Sequence, residues 1–235
     1  MPAHRFFLED TLHHATAALR GDELHHLQHV MRAKPGDAIE LVNGKGVLAL
    51  ARVKTINNSE AVLEIEKKIE TPPSSHQIIL AQAFLRPALL DWVIEKGTEL
   101  GATEFWLFPG EQSEKKEITP HQMQRLHQLT IGGLKQCGRL HLPNLVIKPS
   151  LLAWEKPAGT LLFGSLSSDA KSLEDRYPSP VMMVIGPEKG FTEKEQSFLE
   201  TKLQATPVTL NLNTLRAETA ALCALSLLSW SLSKA

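Results

Sequence analysis

Two cysteines, Cys137 and Cys223, are all the thiol this chain has, and they form no metal-ligating spacing. Free thiols in a reducing compartment are expected, with a disulfide between them the alternative. Net charge is also lacking: 25 Lys and Arg against 26 Asp and Glu leave −1. Bulk charge therefore names no partner, and a nucleic-acid surface would need local patches. No apolar stretch follows basic residues near the start, so no signal peptide is expected. The most apolar late segment, "AALCALSLLSW", is too short and too serine-rich to span a bilayer. A soluble cytoplasmic protein is the expectation. There is no G-x-G-x-x-G after a strand, no G-x-x-x-x-G-K-[ST] and no G-x-S-x-G. The usual dinucleotide and nucleotide phosphate cradles and the hydrolase elbow are therefore unsupported. His25 and His29 share a helical spacing, but no carboxylate or cysteine completes a ligand set, so solvated or RNA-facing histidines are expected rather than a metal site. No internal repeat or low-complexity segment is present.

What is there divides near residue 72. Residues 1–70 read as mostly β: "AIELVN" and "GVLALARVKTI" flank a hairpin signal at Asn43-Gly44-Lys45, and Asn57-Asn58 turns the chain into "AVLEIEKK". "GDELHHLQHVMR" before them has helical spacing at Leu24, Leu27, Val30 and Met31. A small barrel-like domain over 1–72 is expected, ended by the linker "TPPSS". From residue 76 apolar runs ("IILAQAF", "FWLF", "TLLF", "VMMVI", "VTLNL") alternate with the helical patterns "ALLDWVIEKGTEL", "HQMQRLHQLTIGGLKQ" and "EKEQSFLETKL". That alternation predicts an α/β domain with a mostly parallel sheet covered on both faces. Pro87 suits a first helical turn, Gly101 a helix end, and "TEKE" at 192–195 a capping box. The last helix, from about Ala217, is apolar nearly all round and needs cover on several sides.

The chemistry-bearing pieces fall at strand ends. "IGPEKGF" (185–191) closes one apolar run, "LNLNTLRAETAAL" (210–222) joins the next to the final helix, and "TLLFGSL" ends the run before both. Three loops at the carboxyl ends of adjacent parallel strands would form the crevice where α/β proteins bind ligands. The plainer alternative is a tight turn at Gly186-Pro187 and an ordinary helix start at Arg216–Glu218.

Five pieces in order, "VMRAKPGD", "EKGTELGA", "KQCGRLHLP", "IGPEKGF" and "LRAETAAL", resemble the ribosomal RNA small subunit methyltransferase E family of the SPOUT superfamily. The resemblance covers nearly the full length. It implies a PUA-like β-barrel RNA-binding domain at 1–72 and a SPOUT methyltransferase domain at 73–235 whose end is tucked into a deep trefoil knot. It implies a homodimer that binds S-adenosylmethionine in a bent form in the knot loops, with no metal. The activity implied is methylation of N3 of a uridine in small-subunit ribosomal RNA, with the assembled small subunit as partner and no membrane. On that resemblance the cofactor residues are Leu162, Phe163, Gly164, Ile185, Gly186, Pro187, Glu188, Gly190, Leu210, Asn211, Leu212 and Leu215. Arg216 and Arg139 are the cations for negative charge on the uracil, and Glu218 or Glu188 orients an arginine or takes the N3 proton. For Glu218 the alternative is a carboxylate stabilising a helix N-terminus. RNA contacts are expected from Arg5 with Phe6 and Phe7, from the 25–34 segment including Arg32, and from Lys135 with Arg139, with core packing the alternative for at least one phenylalanine.

The chain departs from the family pattern at three places. Lys189 stands where the family has glycine, and a left-handed backbone there would cost about 1–2 kcal/mol. Asn211 replaces another glycine and would tolerate positive φ. "GEQSEKK" lacks the arginine expected near Gln112. Two further readings follow: a SPOUT enzyme acting on transfer RNA, and a non-catalytic RNA-binding or assembly protein with an impaired cofactor loop.

Overall fold

The computed structural model describes residues 4–173 and 177–232. Two compact units emerge. One takes the chain up to Pro73 together with Ile131–Leu142, the other Ser74–Thr130 and the chain from Pro143 onward.

The first unit contains strands β1 (Arg5–Phe7), β2 (Thr16–Leu19), β3 (Ala38–Val42), β4 (Val47–Ile56) and β5 (Ala61–Glu70), with helix α1 (Gly21–His25). They form one small sheet in the order β1-β3-β4-β5-β2. Strict alternation in β4 sends Val47, Ala49, Ala51 and Val53 to the core beside Phe6, Leu41 and Leu63. The β3–β4 turn is built by Asn43, whose side-chain oxygen accepts the N–H groups of Lys45 at 2.8 Å and Val47 at 3.1 Å. The helical pattern after Gly21 departs from expectation. α1 ends at His25 and the chain continues as a π-helix over His26–Val30. Met31 N–H donates five residues back, to His26 O at 3.0 Å. The wider turn shifts the face, so Leu24 and Leu27 are buried while Val30 is exposed.

The second unit holds β6 (Ile78–Ala83), β7 (Glu104–Phe108), β8 (Asn144–Ile147), β9 (Thr160–Gly164), β10 (Lys171–Ser172), β11 (Val181–Ile185) and β12 (Thr206–Thr209). Its helices are α2 (Pro87–Glu99), α4 (Glu193–Thr201) and α5 (Ala217–Leu232), while α3 (Pro120–Cys137) runs from this unit into the first. The sheet order is β10-β12-β9-β11-β6-β7-β8, and each pairing is parallel. Leu80, Leu162 and Met183 face one core, and Ala81, Phe163 and Met182 face the other. Two-sided burial is why these strands read as continuous apolar runs. β8 and β10 were not expected; they are short edge strands with too few residues to show a period.

The helix ends follow their local signals. Pro87 occupies the first turn of α2. At its other end Gly101 takes φ 99°, with Ala102 N–H on Gly97 O at 3.0 Å and Gly101 N–H on Thr98 O at 3.3 Å. That bond pair satisfies two carbonyls the helix would leave orphaned. Thr192 and Glu195 form the reciprocal capping box of α4. α5 buries Ala221, Ala224, Leu225 and Leu228 against α2, β6 and β11. Among the described residues, no helix is long and apolar enough to cross a membrane.

Gly97 tests this packing. A Cβ there would stand 2.8 Å from the Phe105 ring and 3.0 Å from Leu225. Alanine favours the helix by about 1 kcal/mol, whereas overpacking costs about 1–3 kcal/mol. Both obstructing side chains are fully buried, so Gly97→Ala is expected to lower the urea midpoint. An unchanged or higher midpoint would show that α2 can shift away.

Candidate functional site

β12, β9 and β11 are neighbours and parallel, so their carboxyl ends open on one edge. A cavity of about 340 Å³ lies there, within the size range of small-molecule sites. Its wall includes Gly164 at the end of β9, Ile185 at the end of β11 with the loop to Phe191, residues of the loop from Thr209 at the end of β12 to Leu215, and Ala217 and Ala220 of α5.

The β11 loop is a turn closed by Gly190 N–H on Pro187 O at 2.8 Å, and its left-handed residue is Gly190, at φ 79°. Phe191 then enters the core edge-on to Phe163, with ring centroids 6.2 Å apart. Glu188 leans toward α2, where its carboxylate accepts Arg86 N–H at 3.0 Å and lies 3.6 Å from the Arg86 guanidinium. α2 has no side-chain cap of its own, so Glu188 serves its N-terminus. Glycines mark where chains approach: a Cβ on Gly164 would meet Ile185 at 3.1 Å, and one on Gly110 would meet Pro187 at 3.3 Å.

The β12 loop is held differently. Asn211 accepts Asn213 N–H through its side-chain oxygen at 2.9 Å, and Thr209's hydroxyl donates to Asn211 O at 3.2 Å. The Cys223 thiol of α5 donates to Leu210 O at 3.5 Å, and burial pushes that thiol up, keeping its proton. Both cysteines are free.

Comparison with known proteins decides what this geometry belongs to. Residues 72–229 match the RNA methyltransferase domain model, and residues 19–66 match the RNA methyltransferase PUA domain model. The chain belongs to the RNA methyltransferase family. The ribosomal RNA small subunit methyltransferase E of Bacillus subtilis is 27% identical over 96% of each chain. That of Synechocystis is 28% identical over 90% of this chain and 72% of its own. The crystal structure of the Neisseria gonorrhoeae ribosomal RNA small subunit methyltransferase E, bound to S-adenosyl methionine, matches with TM-score 0.84 at 27% identity over 95% of each chain. A Legionella pneumophila structure superposes with TM-score 0.88 at 24% identity, which speaks to the fold.

In this methyltransferase the cavity brings together Gly164, Ile185, Gly186, Pro187, Glu188, Gly190, Leu210, Asn211 and Leu215. Three residues expected with them are elsewhere. Leu162 and Phe163 are buried on opposite sheet faces, one in each core, because they precede the strand end. Leu212 is fully exposed and lines no wall. Sequence reasoning missed wall residues Gln196, Thr209, Asn213 and Thr214, and also Arg86. The polar ones carry no periodicity, and Arg86 meets Glu188 across 102 residues.

The departures from the family pattern have physical answers. Lys189 lines the cavity, exposed, and is not left-handed; Gly190 takes that conformation, so the anticipated strain is absent. Asn211 does not use positive φ either; it folds the loop through its side chain. In the 110–116 loop Lys116 is the fixed cation, donating to Gly110 O at 2.8 Å and Glu111 O at 2.9 Å.

Arg216, just ahead of α5, is exposed, and Glu218 lies half-buried in its first turn. Among the described residues Arg216 has no ion-pair partner; Glu188 is taken by Arg86. Arg139 belongs to the first unit, where burial pulls its guanidinium below the usual arginine range. Arg5 is nearly buried and grips Glu40 at 2.7 and 2.9 Å, and Lys135 holds Glu23 at 2.6 Å, so each already has a carboxylate. Arg32 is exposed at φ 56°, and His25 and His29 stack with ring centroids 4.4 Å apart. Phe6 is core, and Phe7 half-buried.

The turn reading has a direct test. Gly190→Ala should destabilise by about 1–2 kcal/mol, the cost of a left-handed non-glycine residue. Lys189→Ala, at an exposed position with ordinary backbone, should stay within about 0.5 kcal/mol of wild type. Chemical denaturation of the two variants checks both, and the reverse order would relocate the strained residue.

Proposed function

We propose that this methyltransferase uses S-adenosylmethionine to methylate N3 of a uridine in small-subunit ribosomal RNA. The observation that carries the reading is the cavity where the loops after β9, β11 and β12 converge, in a chain similar over 96% of its length to the ribosomal RNA small subunit methyltransferase E of Bacillus subtilis. The wall suits the cofactor: Ile185, Leu210, Leu215 and Phe191 give apolar surface, and the 186–190 and 209–215 loops give backbone polar groups. Gly186 keeps the wall thin, since a Cβ there would stand 3.3 Å from Gly190 C and Phe191 N. When bound, S-adenosylmethionine supplies a methyl group already activated on a sulfonium. We read the C-terminal strands and α5 as the trefoil knot of the resemblance, a reading supported by the non-consecutive neighbours β12-β9-β11-β6.

The chain's own residues face the uridine. N3 lies on the Watson–Crick edge and carries a proton, so the base must be unpaired or extruded. Loss of that proton leaves negative charge on the ring, and Arg216 is the cation assigned to it. Glu218, two residues further on, is assigned to orient Arg216 or accept the proton, directly or through water. Arg32 and the stacked histidines are read as RNA-facing, with Arg139. Lys135 and Arg5 join them only by giving up Glu23 and Glu40. A homodimer in the cytoplasm completes the reading: packed α2 and α5 leave Trp92, Leu227 and Trp230 exposed, an apolar face suited to a second copy.

Single-turnover methyl transfer to assembled small subunits tests the assignment. Arg216→Ala is expected to slow the chemical step about 10²-fold or more, the order seen for losing one aimed donor. Arg216→Lys should recover only part, since a point charge lacks the planar fork. Melting temperature should not fall, because a cation at a helix N-terminus costs about 0.3–1 kcal/mol rather than stabilising it. Near-normal turnover removes Arg216 from the chemistry, and methylation of transfer RNA in place of small subunits replaces the substrate. Sedimentation at micromolar concentration is expected to show a dimer; a monomer would count against the α2–α5 face.

A further inference from the structure

Gln82 interrupts the apolar run "IILAQAF" on β6, a strand with core on both faces, and it is completely buried. Its amide nitrogen donates to Gly186 O at 3.1 Å and Ala83 O at 3.1 Å, and lies 3.5 Å from Ile185 O. Its amide oxygen, also buried, has no hydrogen-bond partner among the described residues. A buried orphan acceptor is unfavourable, and native proteins keep few of them. A leucine or methionine would fill the place without that cost. The nitrogen end supplies the reason for the glutamine. β11 pairs with β9 as far as Val184 and with β6 as far as Ile185, where the ladder ends. Gly186 is buried just beyond the end of the ladder, so its carbonyl needs a donor from outside it. Gln82 is that donor. Gly186 and Ile185 are also cavity wall, whereas Gln82 itself does not line the cavity.

We propose that Gln82 is a positioning residue for the ligand site: it fixes the Gly186–Pro187 peptide, and through it the 186–190 wall, at the expense of an unsatisfied amide oxygen. This rests on the reading of the cavity as the S-adenosylmethionine site. Gln82→Met keeps the length, removes the donor and removes the orphan acceptor. It should weaken S-adenosylhomocysteine binding, measured by calorimetry, about tenfold while the melting temperature holds or rises. Hydrogen exchange should quicken at residues 186–191 and stay unchanged in β6, β7 and β9. Gln82→Asn is the second variant: it keeps an amide but is one methylene too short for Gly186 O, and the same loss is expected. Unchanged affinity in both variants overturns the proposal and leaves the cofactor site standing. Affinity that falls only in step with melting temperature, or loss of the thermal transition in both variants, assigns Gln82 to the fold and overturns it as well. Wild-type protein that binds no S-adenosylhomocysteine overturns the cofactor reading together with this one.

Discussion

A buried strand that stops must hand its last backbone groups to new partners, and β11 stops at Gly186-Pro187, in the middle of its sheet. Proline has no N–H, and the ladder on either side is already finished. The surroundings of the cavity follow from meeting that requirement. Gln82 takes the Gly186 carbonyl, and Gly190 N–H turns back onto Pro187 O. Glu188 is thereby carried to the start of α2, where an uncapped helix offers it the Arg86 N–H. Phe191 drops beside Phe163 and pins the far end. Glu195, almost fully buried, accepts Thr192 N–H and Glu111 N–H at 2.9 Å each, tying α4 to the 110–116 loop that packs beside Pro187. The cavity is the space these obligations leave open.

How much of this the residues announce depends on the range of the interaction. Features made within a few residues are plain in the chain: the apolar runs of the central strands, the Asn43 turn, Gly101 at the end of α2 and the capping box at Thr192. Features made by pairing with distant segments are not. β8 and β10 exist because a neighbour's edge accepts them, and their four and two residues carry no period. Leu162 and Phe163 sit in the strand that ends at Gly164, yet alternation sends them into the two cores, and of these three expected residues the glycine alone lines the cavity. The turn at 187–190 is instructive in another way. The motif marks a glycine-dependent turn but not which position needs positive φ. It needs it at Gly190, so Lys189 stands in the loop at no backbone cost. The π-helical turn at His26–Val30 has no local signature either, and across it Leu27 is buried while Val30 is exposed.

Charge around the site follows from the same connections. With Glu188 committed to Arg86, Glu218 is the carboxylate nearest in sequence to Arg216, and its place in the first turn of α5 already suits the helix dipole. Arg216 is left exposed at the positive end of that helix, a place electrostatics disfavours for a cation. On the proposed chemistry the arrangement has a use. An arginine fully paired in the resting protein would gain little when negative charge forms on a uracil, because it would first have to release its carboxylate. An arginine held near a repelling dipole has more to gain from that charge, and the difference between the two states lowers the barrier. Lys135 and Arg5 show the contrast within the same chain: each is paired at 2.6–2.7 Å, and each would have to exchange one anion for another to meet RNA. Pairing therefore separates cations that hold the fold from those available to a substrate, a distinction that residue type alone does not carry.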